Sequence, residues 1–176
     1  RFMPICTTQI INSDFDSYRF HWLQYPSEII SPINHKIALN AFDVKKEDPK
    51  TIATYGTGVG QQMLLARRLV ENGTKFVTVQ YGGWDMHGNI SQALKGRVPP
   101  IDRALRAFIS DIHNKGMNKN VLLVVTGEFG RTYKINKNAG RDHWPRLSPL
   151  MFAGGDFNMG RVIGKSTSKA EEPKTD

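Results

Sequence analysis

An α/β fold with a largely parallel central sheet is predicted by three features of this chain. Two runs, KFVTVQY at 75–81 and VLLVVTGE at 121–128, are rich in β-branched, aromatic and aliphatic residues, the composition of buried strands. A segment of helical periodicity precedes each of them, so the order reads helix–strand–helix–strand. Strands this apolar suit a sheet covered on both faces, and alternation with helices suits parallel neighbours.

Residues 1–50 lack strong periodicity and read as irregular. Within them SDFDSYRFHWLQYPSEII is expected to pack around His21, Trp22 and Tyr25 as irregular chain or a short helix. KKEDPK, at 45–50, reads as an exposed connection. In TGVGQQMLLARRLVENG the residues Val59, Met63, Ala66 and Val70 share one helical face, flanked by Leu65 and Leu69, and Gly73 suits the helix end. The first strand follows at 75–81 and stops at Gly82-Gly83, delivering Trp84-Asp85-Met86-His87. Pro99-Pro100 then open a helix in which Ile101, Ala104, Leu105, Phe108, Ile109 and Ile112 keep the i, i+3, i+4, i+7 spacing, closed by Lys115-Gly116. The second strand is 121–128, and PLMFAGG at 149–155 is a third. Residues 166–176 read as a polar tail of one domain.

A length of 176 residues suits one domain with a core. No stretch approaches the roughly 18–20 apolar residues of a membrane span. Cys6 is the single cysteine, which excludes an intrachain disulfide and a cysteine-rich zinc knuckle. Lysine and arginine number 24 against 16 acids, a net +8 that favours an anionic partner or, more blandly, a solvated basic face. No recognition helix or aromatic RNA-binding pattern accompanies the charge, so nucleic acid is not the expected partner. Gly56, Gly58 and Gly60 lack the lysine that a phosphate-binding loop needs. The chain starts Arg1-Phe2-Met3, which reads as a fragment or processed form with any export signal upstream.

Sheets of this kind bind ligands outside the carboxyl ends of their strands. Asp85 and His87 follow the first strand and Glu128 the second. The segment GEFGRTYKINKNAGRDHWPR, residues 127–146, adds Asp142 and His143 together with five cations. Mixed N and O donors suit a divalent metal such as zinc, manganese, iron or calcium, leaning toward a transition metal. Each residue also has a plainer reading. Asp85 could cap a turn or pair with an arginine, His87 could be a hydrogen-bonded loop residue, and Glu128 could bridge to Arg131. Asp142 could orient an imidazole instead of binding metal. Arg131 and Arg141 are candidates to hold an oxyanion, with Lys134 and Lys137 as outer attraction. His21, His35 and His113 are expected at the surface.

GWDMHGN, GEFGRTYKIN, GRDHWP and FAGGDFNMGRVIGKS, together with LLARRLVENGTKFVTVQY and PPIDRAL, resemble the planctomycete-type DUF1501 family. The likeness runs from Phe42 to Lys165 and gives a family-like core over 51–165. The family is similar to the alkaline phosphatase and sulfatase superfamily. That resemblance implies a three-layer sandwich of which this chain is a C-terminal part. It also implies a metal-dependent hydrolase of sulfate or phosphate esters, small-molecule or polysaccharide, exported to the periplasm through a twin-arginine signal. Asp85 and His87 stand for the superfamily's first ligand pair, Glu128 for a later carboxylate and His143 for the final histidine. Phe129 occupies the place of another histidine, and the first pair is more closely spaced than usual. The nucleophile is expected upstream, in a part of the protein with which this piece would associate, because Cys6-Thr7-Thr8 lacks the formylglycine context. The alternative is a non-catalytic exported protein of the same fold that binds anionic polymer through its basic face.

Overall fold

The computed structural model describes residues 40–174 and, as backbone, residues 5–12. The expectations for residues 13–30 and for His35 lie outside the described residues. The described chain is mixed α/β: β1 (Ile5–Asn12), α1 (Pro49–Tyr55), α2 (Val59–Glu71), β2 (Phe76–Gly82), α3 (Ile90–Asn114), β3 (Val121–Thr126), β4 (Gly130–Arg131), β5 (His143–Trp144) and β6 (Leu150–Gly154). Among the described residues no helix is long and apolar enough to cross a membrane.

The main sheet has the order β2–β1–β3–β6. Every pairing in it is antiparallel, against the largely parallel sheet expected. Two strands account for this: β1 lies between β2 and β3 and runs opposite to both, Thr7 pairing with Gln80 on one side and Thr126 on the other, and β6 follows β3 with no helix between them and returns antiparallel. Residues 1–50 are therefore not irregular throughout. The β-branched Ile5, Thr7, Thr8, Ile10 and Ile11 carry the strand signal. β2 and β3 still point the same way, as two strands joined through a helix should, so their carboxyl ends share one sheet edge.

Coverage on both faces also differs from expectation. Along β2, Val77, Val79 and Tyr81 pack on the helical core, while Phe76, Thr78 and Gln80 are exposed. That alternation is the period of a half-buried strand, and it is visible in KFVTVQY once Thr78 and Gln80 are counted as outward positions. The core itself forms where α2 and α3 meet this inner face: Val59, Met63, Ala66 and Val70 are buried as predicted, against Ile101, Ala104, Phe108 and Ile112 of α3. His113 is exposed, as expected.

Helix α3 begins nine residues before Pro99-Pro100, which lie inside it. Its start has no side-chain cap. The carbonyls of Asn138 and Ala139 instead accept the N–H groups of Asn89 (3.0 Å) and Ile90 (2.9 Å), a tertiary cap that no local pattern announces. The prolines withdraw two helical donors, leaving the carbonyls of Lys95 and Gly96 without them. Lys95, Gly96, Val98, Pro99 and Pro100 are exposed, so water can serve those carbonyls.

Residues 45–50 are more than a connection. Val44–Lys46 form a 3-10 turn, and Asp48 caps α1 by accepting the N–H of Thr51 at 2.9 Å, with Pro49 as the first helical residue. Glu47 enters an ionic knot around Arg67, a residue of α2 that is 1 % exposed. Arg67 pairs with Glu47 and Glu71 through its terminal nitrogens, and its Nε lies 2.9 Å from Asp111 of α3 without hydrogen-bond alignment. Tyr55 donates to Asp111 at 3.1 Å, Arg68 reaches Glu47 at 2.9 Å and Lys115 reaches Glu71 at 2.9 Å. Burial alone would raise the Glu47 and Glu71 carboxyls. The hydrogen bonds from Arg67 and Arg68 to Glu47, and from Lys115 and Arg67 to Glu71, hold both below their ordinary value.

Candidate metal centre

The shared edge of β2 and β3 is where the site forms. After β2 the chain turns at Gly83, whose φ of +87° is in the left-handed region that glycine tolerates. Trp84 fixes the exit by donating its indole N–H to the Tyr81 carbonyl at 2.6 Å. From the other side, β4 and β5 form a two-stranded ribbon in which Arg131 pairs with His143. The loop between them folds back on residues 86–90, with Arg141 N–H on the Met86 carbonyl at 3.0 Å.

Gly140 is the closest approach of these segments. A Cβ there would lie 2.0 Å from the His87 carbonyl carbon, so only glycine fits. Gly140→Ala is expected to separate the two segments and reduce bound metal well below one equivalent. Elemental analysis beside wild type checks this, and an unchanged metal content would show that the contact is not needed.

Asp85, His87 and His143 place Oδ1, Nε2 and Nε2 within 4.8 Å of one another. The separations are 2.8 Å for Asp85–His87, 2.9 Å for Asp85–His143 and 3.2 Å between the two histidines. Three donors around one divalent ion with bonds of ~2.0–2.1 Å would stand roughly 3.3 Å apart in tetrahedral geometry. The cluster therefore needs to open by only a few tenths of an ångström, and the donor set fits a metal.

Asp142 completes the arrangement from behind. Its Oδ1 accepts the Nδ1–H of His87 at 2.7 Å, and its carboxyl is lowered by that bond first and by Asn136 second. Fixing the proton on Nδ1 leaves the Nε2 lone pair of His87 for the cluster. Arg131 clamps Asp85: its Nη2 reaches Asp85 Oδ1 at 2.7 Å and the Trp84 carbonyl at 2.9 Å, while Nη1 reaches the Arg141 carbonyl at 3.1 Å. The hydrogen bond from His143, then that from Arg131, holds the Asp85 carboxyl at about 2 against an ordinary 3.8. Asp85 is thus a carboxylate throughout the neutral range.

The sign of the pH effect follows from that depression. The contribution of Asp85 to stability is fully present above pH 3.8 and is lost as pH falls through about 2. Asp85→Asn should consequently flatten the acid limb of a denaturation profile between those values. An acid limb identical to wild type would count against the clamp.

Of the residues singled out from sequence, Asp85, His87 and His143 come together directly, and Asp142 holds an imidazole. Glu128, expected as a ligand, lies outside the cluster. It is exposed after the end of β3, one of the residues lining a neighbouring groove. Arg131, expected on an oxyanion, has both terminal nitrogens committed within the protein. Arg141 lines the groove, and its guanidinium has no hydrogen-bond partner among the described residues.

Two residues were not anticipated in their roles. Asn136 donates to the His87 carbonyl (3.1 Å) and to Asp142 Oδ1 (3.0 Å), while its own oxygen accepts the N–H groups of Asn138 (2.9 Å) and Gly140 (3.0 Å). The only hint in the sequence is an asparagine two residues before another in a glycine-ended loop, a common local turn. Phe129 packs its ring 4.5 Å from that of His143. The tail past 166 also engages the ribbon: Trp144 donates to the Glu171 carbonyl, Tyr133 to the Glu171 carboxylate and Arg146 to Glu172.

Comparison with curated proteins found no match, and comparison with solved structures found none. A family model described as "Protein of unknown function (DUF1501)" matches residues 29–176, which is more than half of the chain and includes every residue of the site. The chain belongs to the DUF1501 family.

Proposed function

We propose that this chain carries the metal centre of a hydrolase acting on sulfate or phosphate esters, with Asp85, His87 and His143 as ligands. The observation that carries the reading is the convergence of three donor atoms within 4.8 Å, backed by Asp142 on the far nitrogen of His87. Three protein ligands leave a coordination position free, as hydrolytic sites do. A divalent metal held there would polarise an ester oxygen as a Lewis acid.

The chain's own residues supply the rest. Arg131 orients the Asp85 carboxylate, and Asp142 with Asn136 fixes the tautomer and tilt of His87. Arg141, with no hydrogen-bond partner for its guanidinium among the described residues, is the candidate for two-pronged binding of an oxyanion, where it would neutralise charge that builds in the transition state. The net +8 of the chain favours an anionic substrate over a neutral one. The resemblance to the alkaline phosphatase superfamily supports the choice of ester. Membership in a larger three-layer sandwich and export to the periplasm belong to the same proposal.

Elemental analysis of the purified protein beside a His87→Ala, His143→Ala double variant tests the reading. One equivalent of zinc, manganese, iron or calcium, absent from the variant, is the expected result. Metal in neither sample would sink it and favour the polymer-binding alternative.

A further inference from the structure

Residues 84–87 alternate in use. Asp85 and His87 enter the cluster, whereas Trp84 and Met86 line an adjoining groove of about 630 Å³. Ile90 and Leu94 of α3 and Ile135 of the β4–β5 loop line it as well. Phe129 and Arg131 are common to both places. Phe129 lines the groove and packs against His143, and Arg131 lines the groove and holds Asp85. The groove therefore starts at the cluster, and its lining is predominantly apolar.

Its charged residues are few, and one of them, Arg131, also holds Asp85. Arg141, whose guanidinium has no hydrogen-bond partner among the described residues, is on its wall, and Glu128 is its one acidic lining residue. A sulfated or phosphorylated polymer would bring repeated negative charge past Glu128 and many hydroxyls onto apolar side chains that cannot hydrogen-bond them. A ligand with one anionic end and an apolar remainder meets neither penalty.

We infer that the groove beside the Asp85–His87–His143 cluster binds the apolar alcohol part of a single-ester anion, with Arg141 on its charged end. For that charged end the ligand also relies on the metal reading given above. The groove is a specificity element, and it distinguishes substrates by the apolar surface of the leaving alcohol. Each methylene of that alcohol is worth roughly a fourfold gain in affinity when fully buried. Three methylenes give roughly 50-fold, and about tenfold when half covered.

Calorimetric titration with n-butylphosphonate and methylphosphonate tests this, with n-butanesulfonate and methanesulfonate beside them to separate phosphate-like from sulfate-like ligands. Metal content is measured on the same samples. The butyl compound of either pair should bind about tenfold or more tightly than its methyl counterpart. Leu94→Ser should erase most of that preference without weakening the methyl compound, and Arg141→Met should weaken both about tenfold. Circular dichroism confirms folding, and Ile90→Ser replaces Leu94→Ser if that variant does not fold. Equal affinities in metal-loaded protein would overturn the groove assignment and leave the metal reading standing. A butyl preference in protein that holds no metal would support the groove and remove the metal reading. Failure of every compound to bind overturns the inference.

Discussion

His143→Ala is expected to lose metal altogether under dialysis conditions in which wild type retains one equivalent. The imidazole is one of three donors, and two remaining donors make a poor site for a divalent ion. The side chain is half exposed, so its removal costs only ring contacts with Phe129 and His87 and a solvent-exposed hydrogen bond to Asp85. Circular dichroism and the metal-free melting point should stay close to wild type, which separates loss of a ligand from loss of fold. Asp142→Asn and Asn136→Ala act one step further out, on the orientation of His87, and should weaken metal binding by roughly 10–100-fold instead of abolishing it. Equal metal content in His143→Ala and wild type would falsify the assignment of the cluster.

The second large effect concerns stability. Arg67→Met is expected to cost about 3–5 kcal/mol, because it strips the cation from a buried network and keeps its carboxylates. For a chain of this size that corresponds to a fall in melting temperature of about 10 °C or more. Glu47 and Glu71 lie below their ordinary 4.5 in the wild type, so their contribution is present above that pH and is lost as pH falls. In Arg67→Met much of that cationic partnership is gone, and burial favours protonated carboxyls. The difference between variant and wild type should therefore shrink as pH drops toward 4. A difference that stays constant from pH 7 to pH 4 would mean that Arg67 acts through packing of its stem alone.

Periodicity carries most of what is legible of this fold in the sequence. The face of α2 is a local property, and Val59, Met63, Ala66 and Val70 are buried as the spacing requires. The sheet was misjudged because strand order is not local. Nothing in β2 or β3 announces that Ile5–Asn12, far earlier in the chain, runs between them. The start of α3 escaped for the same reason, since its first N–H groups are taken by the carbonyls of Asn138 and Ala139. For the site, residue chemistry and the rule of the shared strand edge brought out Asp85, His87, Asp142 and His143. Glu128 was drawn in by type alone, and its actual place in the groove depends on how the chain leaves β3. Asn136 stayed hidden because its function lies in four hydrogen bonds closed only in three dimensions.

The two histidines of the cluster are 56 positions apart along the chain. In an unfolded coil of that length the ends would drift roughly 40 Å from each other. Such a coil offers an ion Asp85 and His87 as chain neighbours at most, never the three donors at once. Occupancy and folding are then linked by mass action: a metal at 100 times its dissociation constant would add about 2.7 kcal/mol to the folded state. A chelator should lower the melting temperature of the wild type and leave that of His143→Ala where it was, so heat alone can report whether the centre is filled.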